Sequence, residues 1–135
     1  MSASRLLAVA DPEPPLAAPA VIDEVHLGRM TLGDTRLERE ILEIFVRQIG
    51  LTLTRIAGAA PAVAAAAAHT LKGSARGIGT WRLAHAAEQV EAAAGRGNAE
   101  VLSAATAELK AACLEVCAAI DVRLGKTNGA GRALD

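Results

Sequence analysis

The chain is cut at intervals by residues that stop helices, and between the stops apolar residues recur every three or four positions. Gly33-Asp34, Gly58 with Pro61, Gly79-Thr80 and the Gly95-Arg96-Gly97-Asn98 break are the stops. Glycine suits the left-handed position after a helix, and Asp, Thr and Asn cap the next helix start. Proline fits a first turn, where its missing N–H costs nothing. After Gly33-Asp34, Leu37, Ile41, Ile44, Phe45, Gln48, Leu51 and Ile56 follow at helical spacing, which predicts a helix over about residues 35–57. Leu71, Ala75 and Ile78 mark the inner face of a helix over about 61–78. Leu83, Ala87, Val90 and Ala94 then mark a third, and Leu102, Ala105, Leu109, Ala112, Val116 and Ile120 a fourth. A shorter helix precedes them, with Asp23 as N-cap, apolar Ile22, Val25, Leu27 and Met30, and an end between residues 28 and 31; it is expected to lie across one end of the others. No alternating β-branched run occurs. Four long helices with short connections predict an all-α fold, an antiparallel up-down four-helix bundle with a short additional N-terminal helix.

At 135 residues the chain fits one domain. Its hydrophobic fraction is 52%, but the aromatic fraction is 1% and alanine supplies much of the apolar count, so the core is expected to be built of small side chains on closely approaching helices. Residues 1–20 hold four of the five prolines and read as a flexible leader; residues 21–125 form the bundle domain, and 126–135 a disordered tail. A net charge of -1 gives no support for a nucleic-acid or membrane partner. The N-terminal apolar run is too short for a signal peptide, and the alanine tract of residues 62–68 falls short of the roughly 20 residues of a membrane span, so a cytoplasmic protein is expected. Cys113 and Cys117, four apart on one helix, supply at most half of a metal site and read as buried thiols; no metal site is expected.

The chemistry concentrates in Ala68-His69-Thr70-Leu71-Lys72-Gly73-Ser74-Ala75. On a helix His69, Lys72, Gly73 and Arg76 share one face, opposite Leu71, Ala75 and Ile78. Imidazole, with an ordinary pKa near ~6.5, is largely uncharged and nucleophilic at neutral pH, and can accept a phosphoryl group on a ring nitrogen. Charge on a phosphoryl in flight lies on its equatorial oxygens, so cations one and two turns away, Lys72 and Arg76, favour transfer. Gly73, costing ~1 kcal/mol in mid-helix relative to Ala, lets a partner surface approach the imidazole. Ala62, Ala65 and Ala66 flatten the ground on the other side of His69. A nucleophile on a flat face suits transfer between proteins better than enclosure of a small substrate.

His69-Thr70-Leu71-Lys72-Gly73-Ser74-Ala75, with Gly79 ten residues after the His, resembles the signature of histidine-containing phosphotransfer (HPt) domains of bacterial two-component phosphorelays. The resemblance extends over about residues 21–124 and takes in Phe45 and Gln48 on the preceding helix and Glu91 on the following one. It implies a four-helix bundle that exchanges a phosphoryl group with aspartates of receiver domains in response regulators or hybrid kinases. His69 would be the phosphoacceptor, Lys72 the cation that steadies the phosphoryl, and Gly73 the access position, with Ser74 and Ala75 packing beneath. From the residues themselves, Arg76, Gln48 and Glu91 are expected to support the site and Ala65 and Ala66 to border a docked partner; Phe45 and Met30 read first as core, with a place at the partner border as the alternative. Where some members have a Gln near the active His, this chain has Glu91, a carboxylate that can orient the imidazole N–H and also repel a phosphoryl. No cofactor is implied; Mg²⁺ belongs to the partner receiver domain.

Three function classes follow. A phosphorelay carrier fits the absence of any Gly-rich phosphate cradle and of an ATP site. A histidine kinase core would have an acidic residue after the His and an ATP-binding domain, whereas Thr70 follows here. A non-catalytic scaffold or inhibitor bundle would leave His69 incidental. A monomer is the default, since four helices complete a bundle within one chain. His26 and His85 lack a following Lys-Gly step and read as polar surface, Arg82 as a surface charge, and Glu38, Glu40 and Glu43 as a solvated face.

Overall fold

The computed structural model describes residues 20–126, so nearly all of the expected leader and tail lies outside the described residues. Within them the chain is all-helical: α1 (Glu24–Met30), α2 (Thr35–Ile56), α3 (Pro61–Ile78), α4 (Trp81–Arg96) and α5 (Ala99–Arg123). The stops act as local chemistry requires. The Asp34 carboxylate accepts from the N–H groups of Arg36 and Leu37, the Asn98 side-chain oxygen from those of Glu100 and Val101, and the Asp23 carboxylate from that of His26. Pro61 opens α3, and Gly79 closes it at φ +96°. Thr80 departs from expectation: instead of capping α4 its hydroxyl donates back to Ala75 O at 3.2 Å.

α3 packs most extensively on α4, α4 on α5, and α2 on α3. Ala64, Ala67, Ala68 and Ala75 of α3 and Ala84, Ala86 and Ala87 of α4 are all buried, and small side chains of this kind let these two helices, the most extensively packed pair, approach closely. The larger core side chains are Phe45, Leu42 and Ile49 of α2, Leu71 of α3, Leu83 of α4, and Leu109 and Ile120 of α5. Each contributes about 1.5–3 kcal/mol by leaving water.

The stripe expected on α2 is rotated. Ile44 and Leu51 are 56% and 68% exposed, and Leu42, Ile49 and Thr52 are buried in their place beside Phe45 and Ile56. Both sets have helical spacing, and the positions of α3 and α5 decide which one faces inward. Glu38 is not a solvated charge either. It accepts from Arg123 Nε at 2.7 Å, while Arg123 Nη1 donates to Glu24 at 2.6 Å. These carboxylates, Glu38 foremost, raise the Arg123 pKa further. With Arg39, whose guanidinium donates twice to Leu124 O, they tie the end of α5 to α1 and α2.

α1 docks on the α3–α4 turn through His26, which is half-buried rather than surface. Its Nε2 donates to Gly77 O at 3.0 Å, one of the terminal carbonyls that α3 cannot satisfy internally. The ring meets Trp81 edge-on with centroids 4.9 Å apart, the Trp81 indole N–H donates to Asp23 at 2.9 Å, and Asp23 N–H donates to Gly79 O. The indole bond, with the His26 backbone N–H, lowers the Asp23 pKa.

Candidate functional site

His69 lies midway along α3, held over the core by Leu71 and Ala75 on the opposite face, both fully buried. Its side chain is 68% exposed, and Nδ1 lies 2.8 Å from Glu91 Oε2 on α4. The second carboxylate oxygen, Oε1, is 2.5 Å from Lys72 Nζ. This oxygen is buried and makes no directed hydrogen bond, so its partner is the Lys72 charge. The alanine seam is what brings the two helices near enough for a glutamate on α4 to span a turn of α3.

Lys72, expected to point outward beside the imidazole, is only 15% exposed and turns onto Glu91. The Lys72 ammonium, aided by the hydrogen bond to His69, holds the Glu91 carboxyl below its ordinary pKa. Glu91 is therefore ionised at neutral pH and can only accept, which makes Nδ1 of His69 the donor and leaves the lone pair of neutral imidazole on Nε2, towards solvent. The carboxylate that orients the imidazole N–H is thus itself paired with the Lys72 ammonium through its other oxygen. One turn further on, Arg76 lies 3.7 Å from Glu88. As the α3 partner advances from Lys72 to Arg76, the α4 partner retreats from Glu91 to Glu88, as antiparallel neighbours require.

Gly73 is exposed, and a Cβ built there would meet nothing within 4 Å. Packing within the chain does not demand glycine at this position. Gly73 borders a shallow groove of about 380 Å³ between α1, α2 and α3, lined also by Met30, Ile44 and Gln48. Met30 is 43% exposed there. On the other side of His69, Ala62 and Ala66 are exposed and Ala65 is half-exposed. Phe45 requires correction as a partner contact: at 1% exposure it belongs to the core and offers the groove only its floor.

Elsewhere Cys113 is buried, and burial pushes its thiol up to about 12. His85 is exposed and Arg82 pairs with Glu115 at 2.7 Å. No group of three or more His, Cys, Asp or Glu that could hold a metal ion occurs among the described residues, and none of their helices is long and apolar enough to cross a membrane. Sequence reasoning missed the Lys72–Glu91 contact and the Arg76–Glu88 pair. The available signal was a match of basic residues four apart on α3 with acidic residues three apart on α4.

The family model described as "Hpt domain" matches residues 40–119. The chain is also similar to the crystal structure of the histidine phosphotransferase ShpA from Caulobacter crescentus. Identity is 29% and the TM-score 0.56, over 86% of this chain and 100% of that one. No curated protein matches.

Proposed function

Since the chain belongs to the Hpt domain family, we propose that His69 is the residue through which it carries phosphoryl groups, with Nε2 as the nucleophile. The protein is a histidine phosphotransfer protein of a phosphorelay, a carrier and not a kinase. The observation that carries the assignment to His69 is its exposed ring held by Nδ1 on Glu91 at 2.8 Å. A fixed tautomer presents the Nε2 lone pair outward without a reorientation step, as a carboxylate-held histidine does in hydrolases. As Nε2 bonds to phosphorus, positive charge develops on the ring, and the carboxylate at Nδ1 stabilises it.

Lys72 neutralises Glu91 and lies one helical turn from the site of transfer, so the incoming phosphoryl meets no net negative charge. Gly73 keeps the approach open, and the groove beside it, with exposed Met30 and Ile44, supplies apolar surface for a docked receiver domain. Ala65 and Ala66 extend that surface, while Gln48 and Arg76 are its polar border. Mg²⁺ in this reading resides on the receiver. The same reading takes α2–α5 as an up-down four-helix bundle acting as a monomer in the cytoplasm; the short connections and the antiparallel charge ladder support the bundle.

Incubation with a phosphorylated receiver domain and Mg²⁺ is expected to label the protein with acid-labile, base-stable phosphate, and His69→Gln is expected to stay unlabelled. Equal labelling of the variant would remove His69 from the acceptor role.

A further inference from the structure

Taking His69 as the phosphoacceptor, we infer that Glu91 holds the proton on Nδ1 after transfer as well as before it, so that phospho-His69 persists as a cationic ring ready to pass its phosphoryl on. In the forward step the Nε2 lone pair forms the N–P bond while the P–O bond to the donor aspartate breaks, the electron pair leaving on the aspartate oxygen. The Nδ1 proton has gone nowhere, so the product ring is an imidazolium carrying the phosphoryl on Nε2. If that proton escapes to water, breaking the N–P bond must push electrons onto a ring that would depart as an anion. If it stays, the ring departs as neutral imidazole, a far better leaving group, and the next aspartate oxygen takes the phosphorus.

The structure contains what retention needs. Glu91 Oε2 lies 2.8 Å from Nδ1, and Lys72 at Oε1 favours a carboxylate that accepts a hydrogen bond without taking the proton. That same ammonium is the main reason the Glu91 pKa is lowered. On α4, Glu88 faces Arg76 of α3; at the nearby groove α2 presents uncharged Gln48 and α1 presents Met30. Among the described residues Glu91 is the ion-pair partner of His69. An ionised neighbour at hydrogen-bond distance moves a titration by about one to three pH units, so replacing it with the isosteric amide should make the proton at least tenfold easier to lose.

The test loads the full chain with a small phosphoramidate donor and follows the ring nitrogens of phospho-His69 by ¹⁵N NMR across pH, the ring being identified by its nitrogen–phosphorus coupling. In Glu91→Gln the inflection for loss of the Nδ1 proton should fall by about one unit or more. In Lys72→Met, which leaves the carboxylate uncompensated, it should rise. Transfer from phospho-His69 to a receiver should decline above the inflection in each protein. Coincident inflections in all three proteins would overturn the role of Glu91 while leaving His69 as acceptor. Absence of phosphate from His69 in the unsubstituted protein would overturn the acceptor assignment and this role with it. A purely structural role for Glu91 would alter melting without moving the inflection.

Discussion

Replacing Lys72 by Met removes one charge and keeps most of the stem that covers α3, at little cost in helix propensity. Its effect on stability follows from the geometry. Lys72 Nζ is the charge partner of Glu91 Oε1, which is buried and has no hydrogen bond of its own. Stranding a buried acceptor costs about 1–3 kcal/mol. The Glu91 side chain is 25% exposed and can turn towards water, which places the loss at the low end, about 1 kcal/mol. For a domain of this size that lowers Tm by roughly 4–8 °C. The pH dependence has a definite sign. The Glu91 pKa is lower folded than unfolded, so its contribution is present above the unfolded value and is lost as pH falls through the folded one. Melting followed by circular dichroism should show the full gap between Lys72→Met and the unsubstituted protein at neutral pH. As the pH falls through the folded Glu91 value, which lies below the ordinary carboxylate range, the gap should close. A gap that persists undiminished in acid, or no gap at neutral pH, would refute the charge pairing as the source of the stabilisation.

Gly73→Gln fills open space on a helix, so the domain should melt higher, by up to about 1 kcal/mol, while transfer from a phosphorylated receiver slows. Unchanged transfer kinetics would show that Gly73 is not an access position. Gly79→Ala forces a side chain onto φ +96° and places its Cβ 3.1 Å from Asp23 Cβ, which should cost about 1–3 kcal/mol. It should also perturb the fluorescence of Trp81, whose indole donates to Asp23. An unaltered melt would show that the α1 bracket yields freely.

The helix boundaries were legible in the sequence because caps are local: Asp34, Asn98 and Gly79 act on groups within a few residues of themselves. The buried face of α2 was not, because residues 41, 44, 48 and 51 and residues 42, 45, 49 and 52 both make helical stripes, and only tertiary packing chooses between them. His26 was illegible for another reason. Its partner is a backbone carbonyl 51 residues away, and a carbonyl has no sequence signature. At the site, His69, Lys72 and Gly73 could be picked out from spacing on one helix. The meaning of Glu91 depended on a distance between two helices and on which of its oxygens met which cation.

The phosphoacceptor assignment can be tested most directly by mapping where phosphate sits after transfer from a receiver. Trypsin should place each of the three histidines on a separate peptide, His26 in residues 6–29, His69 in 56–72 and His85 in 83–96. Mass spectrometry at neutral pH should find acid-labile phosphate on peptide 56–72, at His69. Phosphate on either of the other two peptides, with 56–72 unmodified, would contradict the account.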